Sequence, residues 1–244
     1  MVVRRAFFQV AVLLALILWW FLGVAQSAGN NLVFVQKGDI WIATSDGANP
    51  HQLTFTGQAS SPALSPNGKQ VAFLGPGQKA NRSKIFLIST EGGKIRALNL
   101  PDIDDASSPS FSPDGTQLLF RGCTFGDNNN TVSFLLANFS DFSLRKIMSI
   151  GGLDDVEADN MVCPAFSPDG RLIVYNENGH EPTGGFTIIA LTGKQVACFP
   201  FNPKKEQVSY SYLNPKFSPD GQEILAGPMI LRKMPTGSVA MPSI

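Results

Sequence analysis

The stretch SFSPDGTQLLF, residues 110–120, decides the fold because its residue types predict a β-hairpin. Proline presets φ at the second position of a type I turn, aspartate suits the third, and glycine takes the left-handed conformation at the fourth. The serine at the first position can bond back to the turn backbone. After the glycine, Leu118 and Phe120 alternate with other residues, which is the period of a strand with one buried face.

This pattern occurs four times, and each copy has a further proline three residues before the motif serine. The other copies are ALSPNGKQVAF from Ala63, AFSPDGRLIVY from Ala165 and KFSPDGQEILA from Lys216. Successive motif serines are 47, 55 and 51 residues apart. Repeats of about this period, with four short strands in each, are typical of β-propeller blades. The turn glycines are predicted to have positive φ: Gly68, Gly115, Gly170 and Gly221.

The sequence between the motifs supplies the outer strands of each blade. Residues 84–98 (KIFLISTEGGKIRAL) and 186–199 (FTIIALTGKQVACF) are predicted to form strand, turn, strand, and residues 132–148 fit more loosely. Residues 39–54 fit too, after a lone strand, so this leading unit lacks its innermost strand. We predict an all-β propeller of four-stranded antiparallel blades, four complete or near-complete, plus a partial N-terminal one. Two alternatives stay open: a small or irregular ring, or a shortened version of a longer propeller.

The alternation of DIWIATSDGANPHQLT with SSPALSPNGKQVAFLG resembles the repeats of TolB-type, WD-like β-propellers. The resemblance covers about residues 32–227. The resemblance implies a propeller, from which this sequence is expected to depart in two ways: it lacks the extra α/β domain that precedes the propeller in TolB, and it has fewer than the six blades usual in the family. Similar repeats occur in the propellers of prolyl-oligopeptidase-like enzymes and in oligogalacturonate lyases. The resemblance therefore implies a fold and not a function.

Residues 1–28 have the composition of a secretory signal peptide. Arg4 and Arg5 precede an apolar run over residues 6–25, and small residues follow. The run is also about long enough to span a bilayer, so an uncleaved membrane anchor is the alternative. Both interpretations place the propeller, residues 29–244, outside the cytoplasm. We expect a periplasmic or secreted domain that meets a membrane only through the N-terminal segment, if that segment is retained.

The chain offers little material for catalysis or for binding nucleic acid. It has 19 basic and 19 acidic residues, so no net charge attracts nucleic acid. Its two histidines, His51 and His180, are far apart in sequence, and too few for the metal-binding histidines of oligogalacturonate lyases. No G-x-S-x-G, C-x-x-C, H-E-x-x-H or phosphate-binding glycine motif occurs. We predict no catalytic residue, cofactor or metal site.

Long, irregular segments are predicted on one face of the propeller, opposite the short motif turns. They include residues 75–83, 101–108, 121–131, 152–160, 176–185 and 202–212. Irregular loops on a rigid scaffold are where binding residues concentrate. The candidate binding residues are Asp102, Asp104, Asp105, Asp154, Asp155, Glu157, Asp159, His180 and Glu181. Acidic loops beside Lys204 and Lys205 form an asymmetric surface that suits a protein partner. Clustered carboxylates also suit calcium, but their spacing matches no known calcium loop.

Two classes of function follow from these features. The leading hypothesis is an exported, non-enzymatic propeller that binds a protein or a cell-envelope component through the long-loop face. The alternative is a hydrolase-like, lyase-like or carbohydrate-binding propeller whose site lies in the acidic loops.

The three cysteines are odd in number, and an exported protein can pair two of them. Cys123 follows the second strand of one motif hairpin, and Cys163 precedes the first strand of the next. The strand directions place both on the long-loop face of neighbouring blades, whereas Cys198 lies in an outer strand. We predict a disulfide between Cys123 and Cys163. The alternative is three reduced cysteines that act as small apolar residues.

Overall fold

The computed structural model of the chain describes residues 31–79, 81–126, 130–141, 143–153, 163–176, 185–199, 213–227 and 230–233. Over these residues the backbone forms strands, turns and connecting segments, with no helix. Eighteen strands in this described part of the chain form five antiparallel sheets, each built from strands that follow one another along the chain. The predicted all-β architecture of successive antiparallel blades is confirmed.

The sheets are numbered as blades in chain order. Blade 1 contains β1 (Asn31–Gln36), β2 (Asp39–Thr44) and β3 (His51–Gln52). Blade 2 contains β4 (Ser60–Leu64), β5 (Gln70–Pro76), β6 (Ser83–Ser89) and β7 (Arg96–Ala97). Blade 3 contains β8 (Asp105–Phe111), β9 (Gln117–Phe125), β10 (Asn130–Asn138) and β11 (Leu144–Leu153). Blade 4 contains β12 (Ala165–Phe166), β13 (Leu172–Asn176), β14 (Phe186–Ala190) and β15 (Gln195–Phe199). Blade 5 contains β16 (Leu213–Phe217), β17 (Glu223–Gly227) and β18 (Ile230–Lys233).

The four motif turns adopt the predicted conformation. In each turn the glycine N–H donates to the serine carbonyl three residues earlier, at 2.8 to 2.9 Å. The glycines have φ of 68° to 72°, the left-handed region in which a side chain would be strained. Each turn joins the first and second strands of its blade, in the order β4–β5, β8–β9, β12–β13 and β16–β17.

A side-chain network repeats in every motif turn. In blade 3 the Ser112 hydroxyl donates to Asp114 Oδ1 at 2.6 Å and accepts from the Gln117 N–H at 2.9 Å. The Thr116 N–H donates to the same Asp114 oxygen at 3.0 Å. These bonds satisfy the N–H groups that lead into the second strand, which explains why serine and aspartate recur with proline and glycine.

The apolar core lies between neighbouring blades. One cluster joins Leu74 and Ile85 of blade 2 to Leu118 and Phe120 of blade 3, and similar clusters join the other successive pairs. Between blades 3 and 4, the rings of Phe134 and Tyr175 meet edge to face with centroids 4.9 Å apart. Burial of one such large side chain stabilises the fold by roughly 1.5–3 kcal/mol. Blade-to-blade packing therefore provides most of the apolar stabilisation.

The strands extend further than the sequence predicted. Strand β9 continues to Phe125 and β10 begins at Asn130, so the predicted loop over residues 121–131 is mostly strand. Arg121 is buried within β9, where its Nη1 donates to Ser107 Oγ at 3.1 Å. Arg121 was predicted to lie in a loop, but it lies in a strand and has a polar partner on β8. Strand β8 likewise begins at Asp105, inside the predicted loop over residues 101–108.

The predicted disulfide between Cys123 and Cys163 does not form in the structure. All three cysteines are thiols. Cys123 is buried in β9, in register with Asp105 of β8. The sulfur of Cys163 instead accepts a hydrogen bond from the hydroxyl of Ser108 in β8, at 3.2 Å. The prediction was wrong because strand direction alone did not determine the partner: the Cys163 sulfur meets the Ser108 hydroxyl on β8 and not the Cys123 sulfur on β9.

Candidate functional site

The long-loop face is defined by the segments that join second to third strands and by those that join one blade to the next. One group of charged residues on this face lies where blades 2 and 3 meet. Lys79 and Arg82 lie between β5 and β6, Asp104 and Asp105 lie at the start of β8, and Phe125 ends β9. We call these five residues the inter-blade clasp.

Four contacts hold the clasp together. Lys79 Nζ donates to Asp104 Oδ1 at 2.8 Å, and the Phe125 N–H donates to Asp104 Oδ2 at 3.0 Å. The Ser83 N–H donates to Asp105 Oδ1 at 2.6 Å. The guanidinium carbon of Arg82 lies 3.6 Å from the centroid of the Phe125 ring, a cation–π contact. Blade 2 is thus connected to blade 3 through both carboxylates.

The Asp104 carboxylate is held ionised by its neighbours. The hydrogen bond from Lys79 lowers the pKa of Asp104 most, and the Phe125 N–H and the charges of Lys79 and Arg82 lower it further. General acid–base catalysis near neutral pH needs a carboxyl group whose pKa is raised. Asp104 therefore suits a role in positioning the loops and presenting charge.

Part of this surface stays accessible to a partner. The Lys79 side chain is 73% exposed even though it is paired with Asp104. Asp102 and Thr124 are exposed beside the clasp, and Thr124 Oγ1 donates to the Asp102 carbonyl at 3.1 Å. Asp102 has φ of 63°, so its side chain is presented from a left-handed turn. A cation, an exposed carboxylate and a partly buried aromatic ring therefore lie together on this surface.

The structure brings together three of the predicted binding residues, Asp102, Asp104 and Asp105. The other six lie outside the described residues: Asp154, Asp155, Glu157, Asp159, His180 and Glu181. Sequence reasoning missed Lys79, Arg82 and Phe125. The sequence feature that could have indicated the two basic residues is a basic loop in blade 2, followed by an acidic segment at the start of blade 3. In the described part of the chain, no group of three or more histidine, cysteine, aspartate or glutamate residues is placed to hold a metal ion.

The arrangement of blades and the loop face define the class of protein as a β-propeller. TolB from Acinetobacter baumannii is similar in structure, with a TM-score of 0.59 and 18% identity over 81% of this chain. A TolB-type protein from Agrobacterium tumefaciens has a TM-score of 0.60 and 19% identity over the same share. An oligogalacturonate lyase from Vibrio parahaemolyticus has a TM-score of 0.52 and 15% identity over 77% of this chain. TolB-type propellers therefore share this fold, and so does an enzyme.

The chain covers 46% of the Acinetobacter TolB, 65% of the Agrobacterium protein and 50% of the lyase. No protein-family model and no curated protein matches the sequence. Within the described ranges, no helix has the length and apolar character of a membrane span.

Proposed function

We propose that this chain is an exported, non-enzymatic β-propeller that binds a protein or cell-envelope component through its long-loop face. The inter-blade clasp is the observation that carries the proposal. It fixes an exposed lysine, an arginine stacked on phenylalanine and a carboxylate on neighbouring loops of a rigid scaffold. Arginine and aromatic residues are enriched in protein interfaces, and preorganised loops lose less entropy on binding.

A binding role accounts for the clasp better than a catalytic role. Both clasp carboxylates accept backbone N–H groups, and Asp104 also accepts Lys79. The low pKa of Asp104 keeps it charged rather than ready to transfer a proton. Charge that is fixed in this way favours complementarity with a charged partner surface.

The proposed location outside the cytoplasm rests on the N-terminal residues. Arg4, Arg5 and the apolar run over residues 6–25 have the order of a secretory signal, with an uncleaved anchor as the alternative. N-terminal sequencing of the protein from the cell envelope tests this step. A new N-terminus near Ala28 or Gly29 is expected, whereas an unprocessed cytosolic product would contradict it.

Site-specific photo-crosslinking tests the binding face. The full chain is produced in its source cells with benzoylphenylalanine in place of Asp102, on the long-loop face. The control carries it in place of Glu91, an exposed residue in the turn between β6 and β7. That turn lies on the opposite face, because Thr90 Oγ1 donates to the carbonyl of the motif residue Gly68 at 2.9 Å.

We expect one defined protein or envelope adduct from the Asp102 position and none from the Glu91 position. Lys79→Ala should weaken the adduct, because it removes the exposed cation beside the probe. Equal adducts from both faces, or none from Asp102, would refute binding through the long-loop face.

A further inference from the structure

The motif turn of blade 2 differs from the other three in its third residue. This residue is Asn67, whereas the other turns have Asp114, Asp169 and Asp220. Asn67 is exposed and precedes Gly68, and no other asparagine precedes a glycine among the described residues. Glycine has no side chain to shield its backbone nitrogen. In an asparagine–glycine pair, that nitrogen can therefore reach the side-chain amide carbon with little steric hindrance.

Hydrogen bonds hold this amide in place while the turn is closed. The Oδ1 atom of Asn67 accepts Ser65 Oγ at 2.8 Å and the Lys69 N–H at 3.0 Å. The Gly68 N–H donates to the Ser65 carbonyl at 2.8 Å, which occupies the nitrogen that would attack. Reaction between this nitrogen and the amide therefore requires the turn to open first. A short exposed turn opens at a lower free-energy cost than the core strands do.

The other blades show that the same turn accepts a carboxylate. In blade 4, Asp169 Oδ1 accepts Ser167 Oγ at 2.6 Å and the Arg171 N–H at 3.1 Å. These are the contacts that the asparagine makes in blade 2. A basic residue follows the turn glycine in both blades, Lys69 in blade 2 and Arg171 in blade 4. Opposite charges attract, so the blade 2 turn suits aspartate at least as well as asparagine.

We propose that Asn67 is a site of spontaneous deamidation and that the motif turn selects aspartate as the product. In the opened turn the Gly68 nitrogen loses its proton to water and attacks Asn67 Cγ. The new bond joins this nitrogen to Cγ, the bond from Cγ to the amide nitrogen breaks, and ammonia leaves. Water then opens the succinimide ring. Attack at Cγ gives aspartate, and attack at the main-chain carbonyl gives isoaspartate.

Only aspartate has the backbone length that the closed turn requires. Isoaspartate carries the main chain through Cβ, so its extra backbone atom separates the Gly68 N–H from the Ser65 carbonyl. The closed turn stabilises aspartate through the bonds seen in the other blades, whereas isoaspartate can form the succinimide again. Deamidation thus gives blade 2 the SPDG sequence and adds a negative charge to the short-turn face. The inference is independent of the proposed function, which concerns the opposite face.

Ageing of the purified full chain at mildly alkaline pH tests the site. Trypsin releases the peptide of residues 38–69, because no lysine or arginine lies between its ends. Mass spectrometry should locate at Asn67 the mass increase that replaces the amide NH2 with OH. Asn67→Asp is the chromatographic reference for the aspartate product. We expect aspartate to exceed isoaspartate in the folded chain. In urea, where no turn selects the product, isoaspartate should be the larger share.

Two serine variants separate local opening of the turn from loss of global stability. Ser65 and Ser112 are each 5% exposed and make the same pair of hydrogen bonds within their turns. Ser65→Ala should speed deamidation at Asn67 about tenfold, because it favours opening of the blade 2 turn. Ser112→Ala removes the same bonds from blade 3 and should leave this rate unchanged.

Three outcomes would overturn the inference. The first is no deamidation at Asn67 in the folded chain after ageing that converts the chain in urea. The second is the same proportion of aspartate and isoaspartate in the folded chain and in urea. The third is equal acceleration by Ser65→Ala and Ser112→Ala, which would mean that the reaction follows global unfolding and not opening of the turn.

Discussion

The two faces of the propeller use loops in opposite ways. On the short-turn face, each motif turn repeats the same hydrogen bonds between serine, the aspartate or asparagine and the following backbone N–H groups. On the long-loop face, the described segments differ from blade to blade, and the clasp contacts occur only once. Features that repeat in every blade serve the fold, whereas a feature present once is free to serve recognition.

The largest effect on stability is expected at Gly193, in the turn between β14 and β15. Gly193 has φ of 84°, and a Cβ there would lie 2.5 Å from the Ile147 carbonyl oxygen of blade 3. Gly193→Ala should destabilise by about 3 kcal/mol, combining backbone strain with an overlap that the backbone cannot relieve. Urea unfolding measures this change.

Gly92→Ala is the matched control for this overlap. Gly92 has φ of 83°, but nothing lies within 4 Å of its Cβ position. Only backbone strain opposes a side chain at this position, so Gly92→Ala should lower the free energy of unfolding by about 1 kcal/mol. Equal losses in the two variants would show that the contact between blades 3 and 4 contributes nothing.

The second largest effect is expected from the motif hydroxyl. Ser112→Ala removes the acceptor of the Gln117 N–H and the donor to Asp114. Ser112 is buried, so the variant should lose about 1–2 kcal/mol. Ser218→Ala removes the same bonds from a more exposed turn and should lose less in the same urea titration. A larger loss at Ser218 would contradict the role given to burial.

The third effect depends on pH. Hydrogen bonds from Ser112 and from the Thr116 N–H lower the pKa of Asp114 below its ordinary value of 3.8, which it has in the unfolded chain. This stabilisation is present above that value and is lost as pH falls through the lower folded pKa. Asp114→Asn should therefore reduce the fall in melting temperature between pH 5 and pH 2.

Asparagine is a suitable replacement, because Asn67 makes the same contacts in blade 2. Its Oδ1 accepts Ser65 Oγ at 2.8 Å and the Lys69 N–H at 3.0 Å. Asn67→Asp is the reverse test and should make the chain more sensitive to acid. If the change in melting temperature between pH 5 and pH 2 were the same in both variants as in the original chain, the motif carboxylates would not be the cause of the loss of stability in acid.

The smallest effect on stability is expected on the long-loop face. Lys79→Ala breaks an exposed ion pair and should change the free energy of unfolding by about 0.5 kcal/mol or less. The same variant should weaken the crosslink at position 102, whereas Ser112→Ala should leave it unchanged in folded protein. A stability loss at Lys79 as large as that at Gly193 would remove the distinction between the two faces.

The sequence predicted those features that depend on neighbouring residues. Ser112, Asp114 and Gly115 lie within one turn, so their types specified its geometry. The clasp was not predicted, since Lys79 and Asp104 are 25 residues apart and meet only when two blades pack. The contact between Ser108 and Cys163 was missed for the same reason, because these residues are 55 positions apart and meet only when two blades pack.

The contacts between motif turns show how a protein of this kind can gain or lose blades. A Cβ on Gly115, Gly170 or Gly221 would lie 3.4 to 3.6 Å from the motif proline of the preceding blade. Every such junction uses the same two residue types, so the trailing side of one blade matches the leading side of the next. A duplicated blade could therefore pack against its neighbours through the same contacts. The contacts at a single junction do not depend on how many blades the chain contains.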